Sequence, residues 1–187
     1  MATAFTHAFV AIAAGVAIYS PRPMPKKFWI LAPICSAAPD LDVGLHAYGV
    51  DYADAWGHRG MMHSVFFAVI IGVALVAWFF RRDFRPLSRP WFGMCAFFAA
   101  IIASHGFIDA FTSGGEGIAF FAPFSHERYF MPWNPIEVSP MGVRGFFTQS
   151  GAEAIISELL WVWLPVSVVA ACVYFARRLV AKSADPS

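Results

Sequence analysis

The stretch His58-Arg59-Gly60-Met61-Met62-His63-Ser64 stands directly before an uninterrupted apolar run, residues 65–80. A run of this length is typical of a transmembrane helix, because about 20 residues are needed to cross the hydrocarbon core of a bilayer. Two imidazoles and a guanidinium therefore lie at the mouth of a predicted membrane span. Ionisable groups are costly there, so we treat them as functional candidates.

The composition extends this interpretation to the whole chain. Of its 187 residues, 59% are hydrophobic and 13% are charged, whereas a soluble domain has about 45–50% apolar and about 25% charged residues. We predict an all-α integral membrane protein with a single transmembrane domain over residues 1–187. Its fold is a bundle of about five transmembrane helices, with a long outer loop before the last helix. The predicted spans are residues 3–19, 26–38, 61–80, 91–111 and 152–176.

Two of these segments differ from ordinary spans. No basic residue precedes the first one, as a secretory signal would require, so we expect a retained helix and not a cleaved leader. The second would be only about 20 Å long as a helix, and Pro33 interrupts it. We expect it to end at Pro39-Asp40-Leu41-Asp42 and to be followed by a mixed loop over residues 43–60.

The basic residues predict the orientation. Ten of the thirteen lie in two alternate loops and near the C-terminus: Arg22, Lys26, Lys27, Arg81, Arg82, Arg85, Arg89, Arg177, Arg178 and Lys182. The positive-inside rule places these regions in the cytoplasm. With five spans the N-terminus is then outside and the C-terminus is cytoplasmic.

This topology brings seven ionisable side chains to the outer membrane face from four separate segments. They are His7, Asp40, Asp42, His58, His63, His105 and Asp109. Four imidazoles and three carboxylates suit zinc better than Ca²⁺ or Mg²⁺, which prefer oxygen ligands. Seven candidates exceed the ligands of one catalytic zinc, so either two ions bind or some of these residues support the ligands or act as general base.

Catalytic roles can be assigned to three side chains. Asp42 or Glu116 is a candidate general base, and the sequence does not choose between them. Arg59 is a candidate for contact with an anionic group; the alternative is an interfacial arginine that meets lipid headgroups. Arg128 is a second candidate anion contact. The glycine-rich stretch 112–117 is either an anion-binding nest or a flexible turn, and the aromatic loop 120–133 either covers the site or lies in the interface.

The chain resembles a known family in the order of its motifs. These are His7, Pro39-Asp40-Leu-Asp42, His58-Arg59-Gly60-x-x-His63-Ser64, and Ser104-His105-x-x-x-Asp109 followed by Thr112-x-Gly-Gly. They are similar to those of the bacterial inner-membrane proteins described as LexA-regulated, membrane-bound metal-dependent hydrolases, over residues 7 to about 128. The resemblance implies a metal-dependent hydrolase of the bacterial inner membrane, with no defined substrate.

Three functions therefore compete. The first is a hydrolase that binds one or two divalent ions, zinc by expectation, and acts on a membrane lipid or lipid-linked substrate; we favour a phosphoester over an amide because Arg59 and Arg128 are basic. The second is a non-enzymatic protein that binds or transports a divalent metal, and the third is a scaffold. Transport would favour ionisable groups near the bilayer midplane. No basic nucleic-acid patch is present, and the sequence leaves the oligomeric state open.

Overall fold

The computed structural model describes residues 1–20, 23–140 and 143–183. Over these ranges the regular structure is helical, apart from two isolated bridges, Thr112 with Ile136 and Ile118 with Tyr129. The helices are α1 (Ala4–Tyr19), α2 (Lys26–Ala37), α3 (Val65–Phe79), α4 (Arg89–Asp109), α5 (Gln149–Glu158) and α6 (Leu164–Ser183). A π-helical turn at Leu159–Trp163 joins the last two into one continuous rod. The prediction of an all-α bundle is confirmed.

Side-chain caps explain where most of these helices begin. The hydroxyl of Ser64 accepts the N–H of Phe67 over 3.1 Å and starts α3. Thr3, Ser88 and Thr148 do the same for α1, α4 and α5. Ser and Thr are favoured at this position because their oxygen satisfies an N–H that has no partner in the first turn. Ser64 is thus the residue that caps the N-terminus of α3.

Three helical stretches are long and apolar enough to cross a membrane: Lys26–Tyr48, Arg89–Asp109 and Gln149–Ala181. Two apolar helices are shorter, α1 with 16 residues and α3 with 15. At 1.5 Å per residue these two measure about 24 and about 22 Å, compared with about 30 Å for a typical hydrocarbon core. The bundle thus combines three long helices with two short ones.

The structure corrects the prediction for the second span. The backbone does not leave the helix at Pro39 but continues as a 3-10 helix over Ala38–Tyr48, until Gly49 adopts a left-handed φ of 85°. Pro39 is tolerated because it sits at the start of the 3-10 helix, where a missing N–H breaks no bond. The predicted loop over 43–60 therefore begins only after Tyr48. Arg22, which the orientation argument used, lies outside the described residues, as do Pro21 and the chain after Ser183; of the Lys182 side chain nothing is described.

Helix α4 forms the centre of the bundle. It packs against α3 at Gly72, where an added Cβ would lie 2.7 Å from the backbone nitrogen of Ala99. Below the polar end, a core of Phe28, Phe80, Phe98 and their neighbours fills the space between α2, α3 and α4. The α5–α6 rod packs along α1, with Phe9 and Trp163 stacked at 4.1 Å. The histidines and aspartates of the predicted site all lie at one end of this bundle.

Candidate metal centre

Four of the predicted residues form one compact cluster at the end of the bundle. One ligand atom from each of Asp40, His63, His105 and Asp109 lies within 4.8 Å of those of the other three. The His105 Nε2 atom is 3.1 Å from Asp40 Oδ1 and 3.9 Å from Asp109 Oδ2, and His63 Nε2 is 3.7 and 4.0 Å from the same oxygens. In a tetrahedral zinc site neighbouring ligand atoms lie about 3.3 Å apart. The cluster therefore has the dimensions of a site for one ion.

The tautomer of His105 supports this assignment. Its Nδ1 atom lies 2.8 Å from the backbone carbonyl of Ser36, which can only accept, so Nδ1 carries the proton. The Nε2 atom, 3.1 Å from Asp40 Oδ1, either donates a proton to that carboxylate or, in a neutral ring, presents a lone pair. Two acceptors at 3.1 Å repel each other unless a proton or a metal ion lies between them. A carbonyl that fixes the distal nitrogen is the usual partner of a metal-binding histidine.

Asp42 forms a second group with His58 and His63 behind the first. Asp42 Oδ1 is 2.7 Å from His58 Nδ1, and Asp42 Oδ2 is 3.1 Å from His63 Nδ1. The backbone N–H of Arg59 also donates to Asp42 Oδ2, over 3.2 Å. This trio also fits a metal, but His63 could serve both groups only if its two nitrogens each lost their proton. A carboxylate on Nδ1 that leaves Nε2 for the ion is the simpler arrangement.

Burial makes the uncompensated charge of the cluster costly. The side chains of Asp42 and Asp109 are fully buried, and that of Asp40 is 12% exposed. Among the described residues, Arg59 is the only arginine or lysine with an atom within 4 Å of their carboxylate oxygens. Several buried atoms have no hydrogen-bond partner: both ring nitrogens of His7, both of His63, Asp40 Oδ2, Asp109 Oδ2 and Arg59 Nε. Such unpaired groups are expensive. A divalent cation among the central ligands would satisfy His63 Nε2 and Asp109 Oδ2 and would balance the carboxylates together with Arg59.

Arg59 is held inside the protein and does not meet lipid headgroups. It is 1% exposed, and its guanidinium donates to the Gly114 carbonyl over 2.7 Å and to Thr112 Oγ1 over 2.9 Å. Its Nε atom lies 3.8 Å from Asp109 Oδ2. The interfacial alternative is thus wrong. Arg59 links the end of α4 to the turn that follows it.

The remaining candidates for anion binding have other partners. Arg128 donates to the backbone carbonyls of His58 and Tyr52, over 3.0 and 2.9 Å. In the 112–117 turn Gly114 directs a carbonyl towards Arg59. Glu116 is exposed and belongs to neither ligand group, and its role as general base stays a prediction. Burial raises the pKa of Tyr52, which keeps its hydroxyl neutral at pH 7.

His7 lies beside the cluster without joining it. Its ring stacks on that of His105 with centroids 3.6 Å apart, and its Nε2 atom is 3.5 Å from Asp109 Oδ1. That oxygen already accepts the backbone N–H of Ala2 over 2.6 Å. The structure therefore brings together all seven predicted residues but separates them into four central ligands, the Asp42–His58 pair and His7. Which of them bind an ion stays a prediction.

Sequence reasoning missed Glu158, a buried carboxylate on α5. It is 3% exposed and accepts the Thr3 N–H over 2.5 Å and the hydroxyls of Thr3 and Thr6 over 2.6 Å each. It thereby ties α5 to the start of α1, next to the bond from Ala2 to Asp109. A carboxylate inside the predicted span 152–176 was the available signal, although Glu153 in the same span is exposed.

Gly106 was also missed, and it explains how His63 approaches α4. A Cβ at this position would lie 2.8 Å from the carbonyl oxygen of His63. Only glycine leaves room for the 61–63 turn to pack on the helix one residue after His105. A glycine inside a helix carries no distinct sequence signal for such a contact.

Comparison with known proteins identifies relatives in the inner membrane. The profile described as YdjM inner membrane protein matches residues 1–181. The chain is similar to the inner membrane protein YbcI of Escherichia coli (strain K12), with 36% identity over 179 residues, which cover 95% of this chain and 100% of that protein. No solved structure matches the chain.

Proposed function

This chain belongs to the YdjM inner membrane protein family, and we propose that it is a metal-dependent hydrolase acting on a lipid or lipid-linked phosphoester. The observation that carries the proposal is the convergence of one ligand atom from each of Asp40, His63, His105 and Asp109 within 4.8 Å, with His63 Nε2 and Asp109 Oδ2 left without a hydrogen-bond partner. A hydrogen-bonded structural cluster would pair donors with acceptors. The resemblance to LexA-regulated, metal-dependent hydrolases supports the same function.

In this proposal Asp40, His63, His105 and Asp109 hold one ion, zinc by expectation. When bound, zinc acts as a Lewis acid and makes water a stronger nucleophile near neutral pH. The carbonyl of Ser36 fixes the Nδ1 proton of His105, and the carboxylate of Asp42, 3.1 Å from His63 Nδ1, favours a proton on that nitrogen and leaves Nε2 for the ion. Asp42 directs one oxygen to His63 and the other to His58, so we assign it a positioning role beside its predicted role as general base.

Arg59 contributes positive charge although its side chain is buried. Its guanidinium is anchored by Gly114 and Thr112, with Nε 3.8 Å from Asp109. In a buried environment a fixed charge acts over a longer distance than in water. We propose that it stabilises the negative charge that develops at the phosphoester, through the ligand Asp109.

Transport is the less favoured alternative because the described core offers no polar path across the bundle. Below the cluster the residues packed between α2, α3 and α4 are apolar, among them Phe28, Val76, Phe80 and Phe98. A transported ion would need ligands near the midplane. The polar groups of the candidate centre all lie at one end.

The first test is metal content, measured by mass spectrometry on protein purified in detergent. We expect about one equivalent of zinc or a similar ion per chain, falling at least tenfold in His63→Ala and Asp109→Ala. The control is His126→Ala, which changes an exposed histidine outside the cluster. Phospholipid phosphoesters in mixed micelles are then screened for hydrolysis that His63→Ala abolishes. A folded protein that binds no ion after zinc supplementation would remove the hydrolytic mechanism.

A further inference from the structure

Access to the candidate metal centre is restricted to one side. The side chains of His63, His105 and Asp109 are 0% exposed, whereas that of Asp40 is 12% exposed. Asp40 also lines a cavity of about 330 Å³ between the start of α1 and the segment before α5. A substrate must therefore reach the four ligands from the side of Asp40.

The walls of this cavity are mostly apolar, and its polar side chains are those of Thr3, Asp40 and Ser139. Its side chains include Ala2, Ala4, Phe5, Val43, Pro140 and Phe146. The two lining hydroxyls are already engaged, since Thr3 donates to Glu158 and Ser139 donates to the Met1 carbonyl. Among the described lining side chains, only Asp40 retains a polar atom without a partner, Oδ2. The cavity therefore selects an apolar group and places it next to the metal ligands.

The surroundings of the cavity favour a lipid chain as that group. Phe5, which lines the cavity, is 73% exposed. Leu41, next to Asp40, is 73% exposed, and Phe147, next to Phe146, is 88% exposed. Large exposed apolar side chains beside a cavity in an integral membrane protein face lipid and not bulk water.

A second cavity, beside the Asp42–His58 pair, does not compete for this role. It has about 150 Å³ and is lined by Asp42, His46, Tyr52 and His58 among others. It contacts Asp42 and His58, which lie behind His63, and none of the four central ligands. Of these two cavities, only the larger one is lined by a central ligand, Asp40.

We propose that the cavity beside Asp40 is the substrate site and takes the acyl chain of a membrane lipid, next to the bond that is cleaved. This inference rests on the proposed hydrolytic function for the cleavage, but the binding of the acyl chain can be tested without it.

The experiment uses the full chain in vesicles of phosphatidylethanolamine and phosphatidylglycerol. These contain a phosphatidylethanolamine with a diazirine in one acyl chain. After irradiation, labelled residues are located by peptide mass spectrometry. We expect strong labelling at Phe5, Val43 and Phe146. Ala4→Phe fills the cavity from α1 and should lower labelling at Val43 and Phe146 at least threefold, with zinc content unchanged.

The matched control is Ala47→Phe, which makes the same change at an exposed position outside this cavity wall. It should leave the labelling unaltered. If Ala4→Phe does not fold, Val43→Phe fills the same cavity from the 3-10 helix. Labelling that persists in both filled variants would overturn the inference, even where phosphoester hydrolysis is observed. Labelling that responds to the filled variants without any hydrolysis would support the lipid site and reject the hydrolytic function.

Discussion

The backbone N–H of Ala2 donates to Asp109 Oδ1 over 2.6 Å and so joins the start of α1 to the end of α4. This bond occupies one oxygen of Asp109, while the other, Oδ2, faces His63 and His105 without a hydrogen-bond partner. The backbone therefore orients a carboxylate of the candidate metal centre. Contacts that hold Ala2 in place should influence metal binding.

Glu158→Gln tests this coupling. The carboxylate accepts three hydrogen bonds from Thr3 and Thr6, and an amide replaces one of its acceptor oxygens with a donor. We expect a loss of about 2 kcal/mol in the free energy of unfolding, together with weaker zinc binding measured by competition with a chelator. Glu153→Gln makes the same change at an exposed position of α5 and should alter neither quantity. Equal zinc affinity in the two variants would contradict the coupling.

Asp42→Asn tests the support of His63. The variant disturbs the contacts with His58 and His63 at 2.7 and 3.1 Å. Partners of metal-bound histidines typically contribute about 10–100-fold to metal affinity, so we expect a loss in that range with the fold intact. Asp40→Asn should cost more because it alters a ligand. The control is Asp51→Asn on an exposed side chain. An Asp42→Asn protein with unchanged affinity would show that Asp42 does not position the ligands.

Removal of the metal should destabilise the bundle. Without a cation the buried carboxylates of Asp40, Asp42 and Asp109 have Arg59 as the one arginine or lysine near them among the described residues. An ion present at 100 times its dissociation constant stabilises the folded state by about 2.7 kcal/mol. We expect a chelator to lower the Tm in detergent and added zinc to restore it. In His63→Ala the chelator should have little further effect.

Arg59→Lys separates charge from geometry. A lysine keeps the positive charge but cannot contact Gly114, Thr112 and Asp109 together, as the guanidinium does. We expect a lower Tm than in the parent protein and a larger loss in Arg59→Gln, because breaking a buried ion pair costs about 3–5 kcal/mol. Similar Tm values for the lysine variant and the parent protein would argue that only the charge matters.

The orientation is tested by a reporter fused after Lys182. The distribution of basic residues predicts that the reporter is cytoplasmic. A periplasmic reporter would place the candidate centre on the cytoplasmic side. The ligand cluster itself does not depend on the outcome, since all four ligands would change sides together.

Much of this architecture could be predicted because the signals were local. Apolar runs predicted the helices, and a spacing of four residues places His105 and Asp109 on one face of α4. The 3-10 continuation through Asp42 was not predictable, since a proline and two aspartates ordinarily end a helix. Here the segment packs against α4 and the 61–63 turn, which are distant in sequence. The separation of Asp42 from the central ligands depends on tertiary contacts that link residues 16 to 21 positions apart. No local pattern encodes them.

The short lengths of α1 and α3 have a consequence for the surrounding lipid. Both helices begin beside the candidate centre, and at about 24 and about 22 Å they are too short for an unperturbed bilayer. Hydrophobic mismatch of this kind is relieved by local thinning of the membrane. Headgroups next to α1 and α3 would then lie closer to the midplane than those around the three longer helices. A lipid could then bring its ester region to the protein while it stays in its leaflet.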